Sequence, residues 1–181
     1  FNRLVGKQVA IVQDMPGVTR DRHYGDGTVL GWDFIAVDTG GFEPTSTEGM
    51  LPAMREQAEI AIAEADAIIA LYDGPAGLTP ADREIVRVLA KANKPVFHAV
   101  NKLDGPKHDL LIAEFWETGV EMLHPISAQH GGGVYDLMEH VIDAFPQAEG
   151  GDGDEDVSVT RVAVSGKPNA GKSTLVNRMR G

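Results

Sequence analysis

The 181-residue sequence has no cysteine, which excludes disulfides and any zinc site built on thiolates. It has no run of about 18 apolar residues and no basic-then-apolar leader, so no membrane partner is expected and the expected location is cytoplasmic. Basic residues are scarce: 16 Lys and Arg stand against 27 Asp and Glu, a net charge of -11. Nucleic-acid backbones are held by clusters of Lys and Arg, so direct nucleic-acid binding by this segment alone is not expected. An initial methionine is also lacking. The first residue is Phe1, and the sequence is expected to be a piece of something longer. What is present, 43% hydrophobic and 24% charged residues, is enough for one globular domain with a core.

Part of the negative charge is local. QAEGGDGDEDVS, Gln147 to Ser158, carries Glu149, Asp152, Asp154, Glu155 and Asp156 among glycines. Such a stretch cannot bury enough surface to offset its ordering entropy, and it reads as a flexible linker. A calcium loop would need alternating Asp or Asn with a closing Glu, and the spacing fails.

Before the linker, short apolar runs alternate with helical patterns. WDFIAVDTGG (Trp32 to Gly41), ADAIIALYDG (Ala65 to Gly74), KPVFHAVNKLD (Lys94 to Asp104) and VEMLHPISA (Val120 to Ala128) each end in polar or Gly-containing residues. They read as buried strands of a largely parallel sheet. Helices are expected over Leu51 to Glu64, Pro80 to Ala92, His108 to Thr118 and Gly133 to Phe145, the second with Thr79 as N-cap, Pro80 at its first position and Asp82 in its first turn. After the linker come a strand, Val159 to Gly166, and a helix, Lys172 to Met179. The fold class is α/β, doubly wound, with ligands expected at the carboxyl ends of the strands.

The candidate sites all lie at such ends. GKPNAGKST supplies a phosphate-binding set, Gly166, Asn169, Ala170, Gly171, Lys172, Ser173 and Thr174. Its glycines let the loop curl with N–H groups facing phosphate oxygens, Lys172 adds charge, and Ser173 is the expected Mg²⁺ ligand. A plain Gly-rich turn would not require Lys and then Ser after the second glycine. In DTGG, Asp38 can hold Mg²⁺ through water and the Gly41 N–H can meet a γ-phosphate, although Asp-x-Gly-Gly alone is more often a turn. NKLD, with Asn101, Lys102 and Asp104, discriminates between bases. A carboxylate at Asp104 accepts two hydrogen bonds from the ring N–H and amino group of guanine, an edge adenine lacks. Ser127 and Ala128 end the next strand, where a backbone N–H is available for the guanine carbonyl.

Together these residues resemble the motif set of translation-factor-type GTPases. The closer resemblance is to the EngA/Der family of ribosome-assembly GTPases, whose chains carry two GTPase domains in tandem followed by a KH-like domain. The matching stretches are FNRLVGKQVAIVQDMPGVTRDRHYG, DTGGFE, MREQAEIAIAEADAII, DGPAGLTPADREI, NKLD and PISAQHGGGVYDL, covering most of Phe1 to Pro146. The acidic linker before a phosphate loop also resembles the family's domain junction. FNRLVG at Phe1 and VNRMRG at Val176 share Asn, Arg and Gly in register, one repeat apart. The expected division is therefore residues 1–146, a first GTPase domain lacking its own phosphate loop; 147–158, the linker; and 159–181, the strand, loop and first helix of a second GTPase domain. Three arrangements stay open. In the preferred one the terminal loop is that of the next domain and docks inefficiently, so Lys172→Ala changes little. In the second, the C-terminal strand-loop-helix closes the P-loop GTPase sheet as a circular permutant, and in the third it is exchanged between two chains.

The resemblance implies GTP and GDP as ligands, Mg²⁺ as cofactor, and partnership with assembling large ribosomal subunits through the full-length protein. It implies hydrolysis by positioning and charge stabilisation, with Thr19, Gly41, Lys172 and Asn169 as catalytic candidates. Thr19 in PGVTRD matches the switch threonine that binds Mg²⁺. Phe42 stands where related enzymes carry a water-orienting glutamine, and Asn169 matches an asparagine that binds K⁺ in relatives. Asn in a tight turn is also favoured for backbone reasons. The rival functional class is a catalytically incompetent module that only binds a protein or the ribosome. The histidines show no metal-ligand spacing, and Trp32 and Trp116 read as packing residues rather than a base-stacking platform.

Overall fold

The computed structural model describes residues 23–39, 59–105, 108–145 and 159–180. Thr19, Gly41, Phe42, the expected linker and most of the helix expected over Leu51 to Glu64 lie outside the described residues; of that helix, 59–64 are helical. Six strands form one sheet: β1 (His23–Val29), β2 (Trp32–Asp38), β3 (Ala67–Asp73), β4 (Val96–Asn101), β5 (Leu123–Pro125) and β6 (Thr160–Ser165). Their order across the sheet is β1-β2-β6-β3-β4-β5. All neighbours are parallel except β1 and β2.

β3 explains why the sheet is covered on both faces. Its apolar residues run without alternation and all are buried. Ala67, Ile69 and Leu71 join one core, under α3 (Val134–Asp143) and α4 (Lys172–Met179). Ile68, Ala70 and Tyr72 join the other, under α1 (Pro80–Leu89) and the 3₁₀ turn Glu114–Thr118 that continues α2 (His108–Ala113). This is the doubly wound arrangement expected from the sequence. The start of α1 is also as expected: Thr79 and Asp82 form a reciprocal capping box with Pro80 in the first turn. Trp32 packs on Phe34 and Phe145 with ring centroids 6.2 and 5.7 Å away, whereas Trp116 is exposed, so the packing role fits the first tryptophan only.

Two features depart from the sequence reading. β1 was not anticipated, because HYGDGTV is polar, broken by glycines and without the apolar run that marks the other strands. It forms an edge hairpin with β2 through Leu30 and Gly31, both at positive φ (53° and 76°), which matches the right-handed strand twist. Its glycines have a steric role: a Cβ on Gly27 would enter the Phe34 ring, and one on Gly25 would enter the Arg180 side chain.

The second departure concerns the terminal segment. The preferred expectation kept it apart from the body; instead β6 lies between β2 and β3 and pairs with both. The residues 23–145 and 159–180 thus share one sheet. The physical reason is edge satisfaction. Without β6, β1–β2 and β3–β4–β5 would be separate pieces with unpaired inner edges, and Val162, Ala163 and Val164, all fully buried, would lose their core. Among the described residues no helix is long and apolar enough to cross a membrane.

Candidate functional site

The parallel strands deliver their carboxyl ends to one edge: Asp38 from β2, Asp73 from β3, Asn101 from β4, Ile126 to Ala128 after β5, and the loop from Gly166 to Gly171 between β6 and α4. Close approach dictates the loop's glycines. A Cβ on Gly166 would run into the Leu71 carbonyl of β3. Gly171, at φ 97°, is the N-cap of α4, and a Cβ there would run into the Asn101 amide. Asn169 also has positive φ, 65°, a conformation Asn tolerates, and it is exposed at the loop's rim, as is Thr174 in the first turn of α4.

On the phosphate side the charged groups are buried and engaged. The Lys172 Nζ donates to the Lys167 carbonyl at 2.9 Å, and the residue is only 6% exposed. The Ser173 hydroxyl donates to Asp38 Oδ2 at 2.6 Å across the β2–β6 boundary. A hydroxyl and a carboxylate oxygen brought this close are hard oxygen donors of the kind that suit Mg²⁺. The two residues that the sequence separated by more than a hundred positions are therefore adjacent.

Asn101 joins the phosphate side to the base side. Its Nδ2 donates to the Ala170 carbonyl at 2.8 Å, and its Oδ1 accepts from the Ala128 N–H at 2.9 Å. The Ala128 N–H, one of those in Ile126 to Ala128 that could face a guanine carbonyl, is thus engaged by Asn101. Ser127 is buried, with no partner for its hydroxyl among the described residues, and its N–H donates to the Gly132 carbonyl at 2.9 Å. Lys102 turns the chain at φ 66° and donates from Nζ to Asp73 Oδ2 at 2.6 Å. Asp104 stands outermost: its side chain is 45% exposed, with His130 Nε2 at 3.4 Å.

Sequence reasoning missed Asp73, Lys167 and His130 as members of this edge. Asp73 ends an apolar run and Lys167 sits inside the phosphate loop, so position was a signal, but neither belongs to a motif that assigns it a role. Beneath the base side, Tyr72 Oη and His98 Nδ1 share a hydrogen bond of 2.7 Å, with burial holding the phenol protonated far above its usual range. Burial, and secondarily His124, pushes His98 down to about 4. His124 is lowered by its burial and by His140, with Asp136 opposing.

Against known proteins, a model of the 50S ribosome-binding GTPase family matches residues 1–102. GTPase Der of Geobacter metallireducens is 55% identical over all 181 residues, which cover 41% of that relative. GTPase Der of Geotalea uraniireducens is 50% identical over the same length and also covered to 41%. The chain therefore spans about two fifths of the length of these relatives. Among solved structures, Era in complex with MgGDPNP and nucleotides 1506–1542 of 16S ribosomal RNA superposes with a TM-score of 0.61 at 30% identity, over 76% of this chain and 49% of that one. Aquifex aeolicus Era Y63A bound to GDP.AlF4- gives 0.59 at 31% identity, over 72% and 46%.

Proposed function

Because the chain belongs to the 50S ribosome-binding GTPase family, and within it to the EngA/Der type, we propose that its sheet edge binds a guanine nucleotide and hydrolyses GTP. The observation that carries this reading is Asn101, whose one side chain bonds both the phosphate loop and the strand end beside the base-reading motif. A pocket reading base and phosphate together needs these loops held in fixed relation, and a buried, doubly bonded amide does that.

In this reading the amides of Gly166 to Gly171 and the start of α4 receive the phosphates, Lys172 places its charge beside them, and Asp104 accepts two hydrogen bonds from guanine. Ser173, with Asp38 through water, would hold Mg²⁺, Asn169 would hold K⁺, and these ions supply positive charge at the phosphates. Thr19 and Gly41 complete the set on motif grounds. The protein's own contribution is positioning: the reacting phosphate is fixed in a field of preorganised donors. The alternative, a nucleotide-incompetent binding module, presupposed an undocked phosphate loop and is disfavoured by β6 at the sheet centre. Action in large-subunit assembly, in the cytoplasm, is proposed for the full-length protein and not for this segment alone.

Titrating GDP and ADP into the chain tests the reading. GDP should bind and ADP should not, and Asp104→Asn should shift preference from GDP to xanthosine diphosphate. Equal affinity for GDP and ADP would sink the guanine assignment.

A further inference from the structure

An ion pair to which no motif assigns a role joins the phosphate loop to α1, with its carboxylate fully buried and its ammonium partly so. Lys167 Nζ lies 3.1 Å from Asp82 Oδ2 and 3.3 Å from Thr79 Oγ1. Asp82 is fully buried. Its Oδ2 also accepts from the Thr79 N–H at 2.9 Å and the Thr79 hydroxyl at 2.6 Å, while its Oδ1 is buried with no hydrogen-bond partner among the described residues. The α1 cap is complete without the lysine, because Thr79 and Asp82 already satisfy each other. The ammonium adds no hydrogen bond that the cap itself lacks; it neutralises the buried carboxylate, and through that pairing it acts on the loop.

There, the same residue is the loop's pivot. The Lys167 carbonyl accepts from Lys172 Nζ at 2.9 Å and from the Ala170 N–H at 3.3 Å. We infer that Lys167 is a positioning residue: Asp82 and Thr79 anchor its side chain to α1, and this fixes the carbonyl that orients the Lys172 ammonium and closes the loop. A desolvated charge pair is a stiff tether, since letting go strands a buried carboxylate. The inference rests on the proposed phosphate-binding role for what the loop holds, but its geometry is testable without nucleotide.

The test uses the whole chain and measures amide exchange at Ala170 without nucleotide, then GDP affinity. Lys167→Met should speed Ala170 exchange and weaken GDP, each by about tenfold, the scale of coupling between contacting residues. Lys167→Arg, which keeps the charge, should restore both. Leu89→Ala, a core truncation in the same helix, should lower the melting temperature without loosening the loop. If Lys167→Met does not fold, Lys167→Met with Asp82→Asn removes the stranded charge and should show the same fast exchange at Ala170. Unchanged exchange in the folded variant, equal loosening by Leu89→Ala, or failure of Lys167→Arg to restore the parent rate would overturn the inference. A parent chain that does not bind GDP would defeat the nucleotide reading instead, and the exchange rates would still decide the role of Lys167.

Discussion

The two sides of the candidate site hold their charges differently. On the phosphate side Asp38, Asp82 and Lys172 are buried, and Lys167, Ser173 and Lys172 each have an assigned oxygen partner. On the base side Lys102 and Asp104 are 41% and 45% exposed, and Asp104 has a long contact with His130 at 3.4 Å. The difference fits the chemistry proposed for each side. Phosphate recognition depends on a field that must exist before the ligand arrives, and desolvated, paired groups hold such a field still. Base recognition is a choice between edges, made when a ligand completes the hydrogen bonds of an otherwise solvated carboxylate.

Asn101 is where the comparison breaks most readily. Asn101→Ala would leave the Ala170 carbonyl and the Ala128 N–H without their partner, both in a buried setting. The expected cost is about 4 kcal/mol of folding stability, two unsatisfied groups at about 2 kcal/mol each, read by urea denaturation. A loss below about 1 kcal/mol would mean that the two sides are held together elsewhere.

Acid should discriminate between the sides next. His98 and His124 lie in β4 and β5, under the base side, while β6 and α4 contain no histidine. Because the folded pKa of His98 is below its unfolded value, protons favour the unfolded state. Its stabilisation is complete above about 6.5 and is lost as pH falls from there through about 4. The contribution is about 3 kcal/mol, and His98→Asn should flatten that part of the pH profile. An unchanged profile would remove His98 from the account.

The smallest effect concerns the rim of the phosphate side. Replacing K⁺ by Na⁺ at constant ionic strength should slow GTP turnover several-fold, and Asn169→Ala should abolish the difference between the salts. Equal turnover in both salts for the parent chain would release Asn169 from the K⁺ role.

Much of this molecule could be read from sequence because its signals are local. The apolar runs ending at Asp38, Asp73 and Asn101 became β2, β3 and β4, and Thr79-Pro80 with Asp82 marked the start of α1. β1 escaped because Gly25 and Gly27 serve neighbours, the Arg180 and Phe34 side chains, that lie far off in sequence or across the hairpin. The site's motif residues were legible as types, but not their partners. Whether Ala128 offers its N–H to a ligand depends on where the Asn101 amide points. The docking of β6 was left undecided for the same reason: repeat register speaks of descent, whereas strand pairing is decided by which sheet edges are left open.

The central claim is that the terminal phosphate loop works with the body of its own chain. Calorimetric titration of GDP into the parent and Lys172→Ala chains tests it most directly. With the loop seated between β2 and β3, the parent should bind one GDP per chain, and Lys172→Ala should bind about a hundredfold more weakly, the scale of a charge-assisted bond removed from a buried site. Equal GDP affinity in the two chains would contradict the account, because it would place the nucleotide away from the loop that β6 carries.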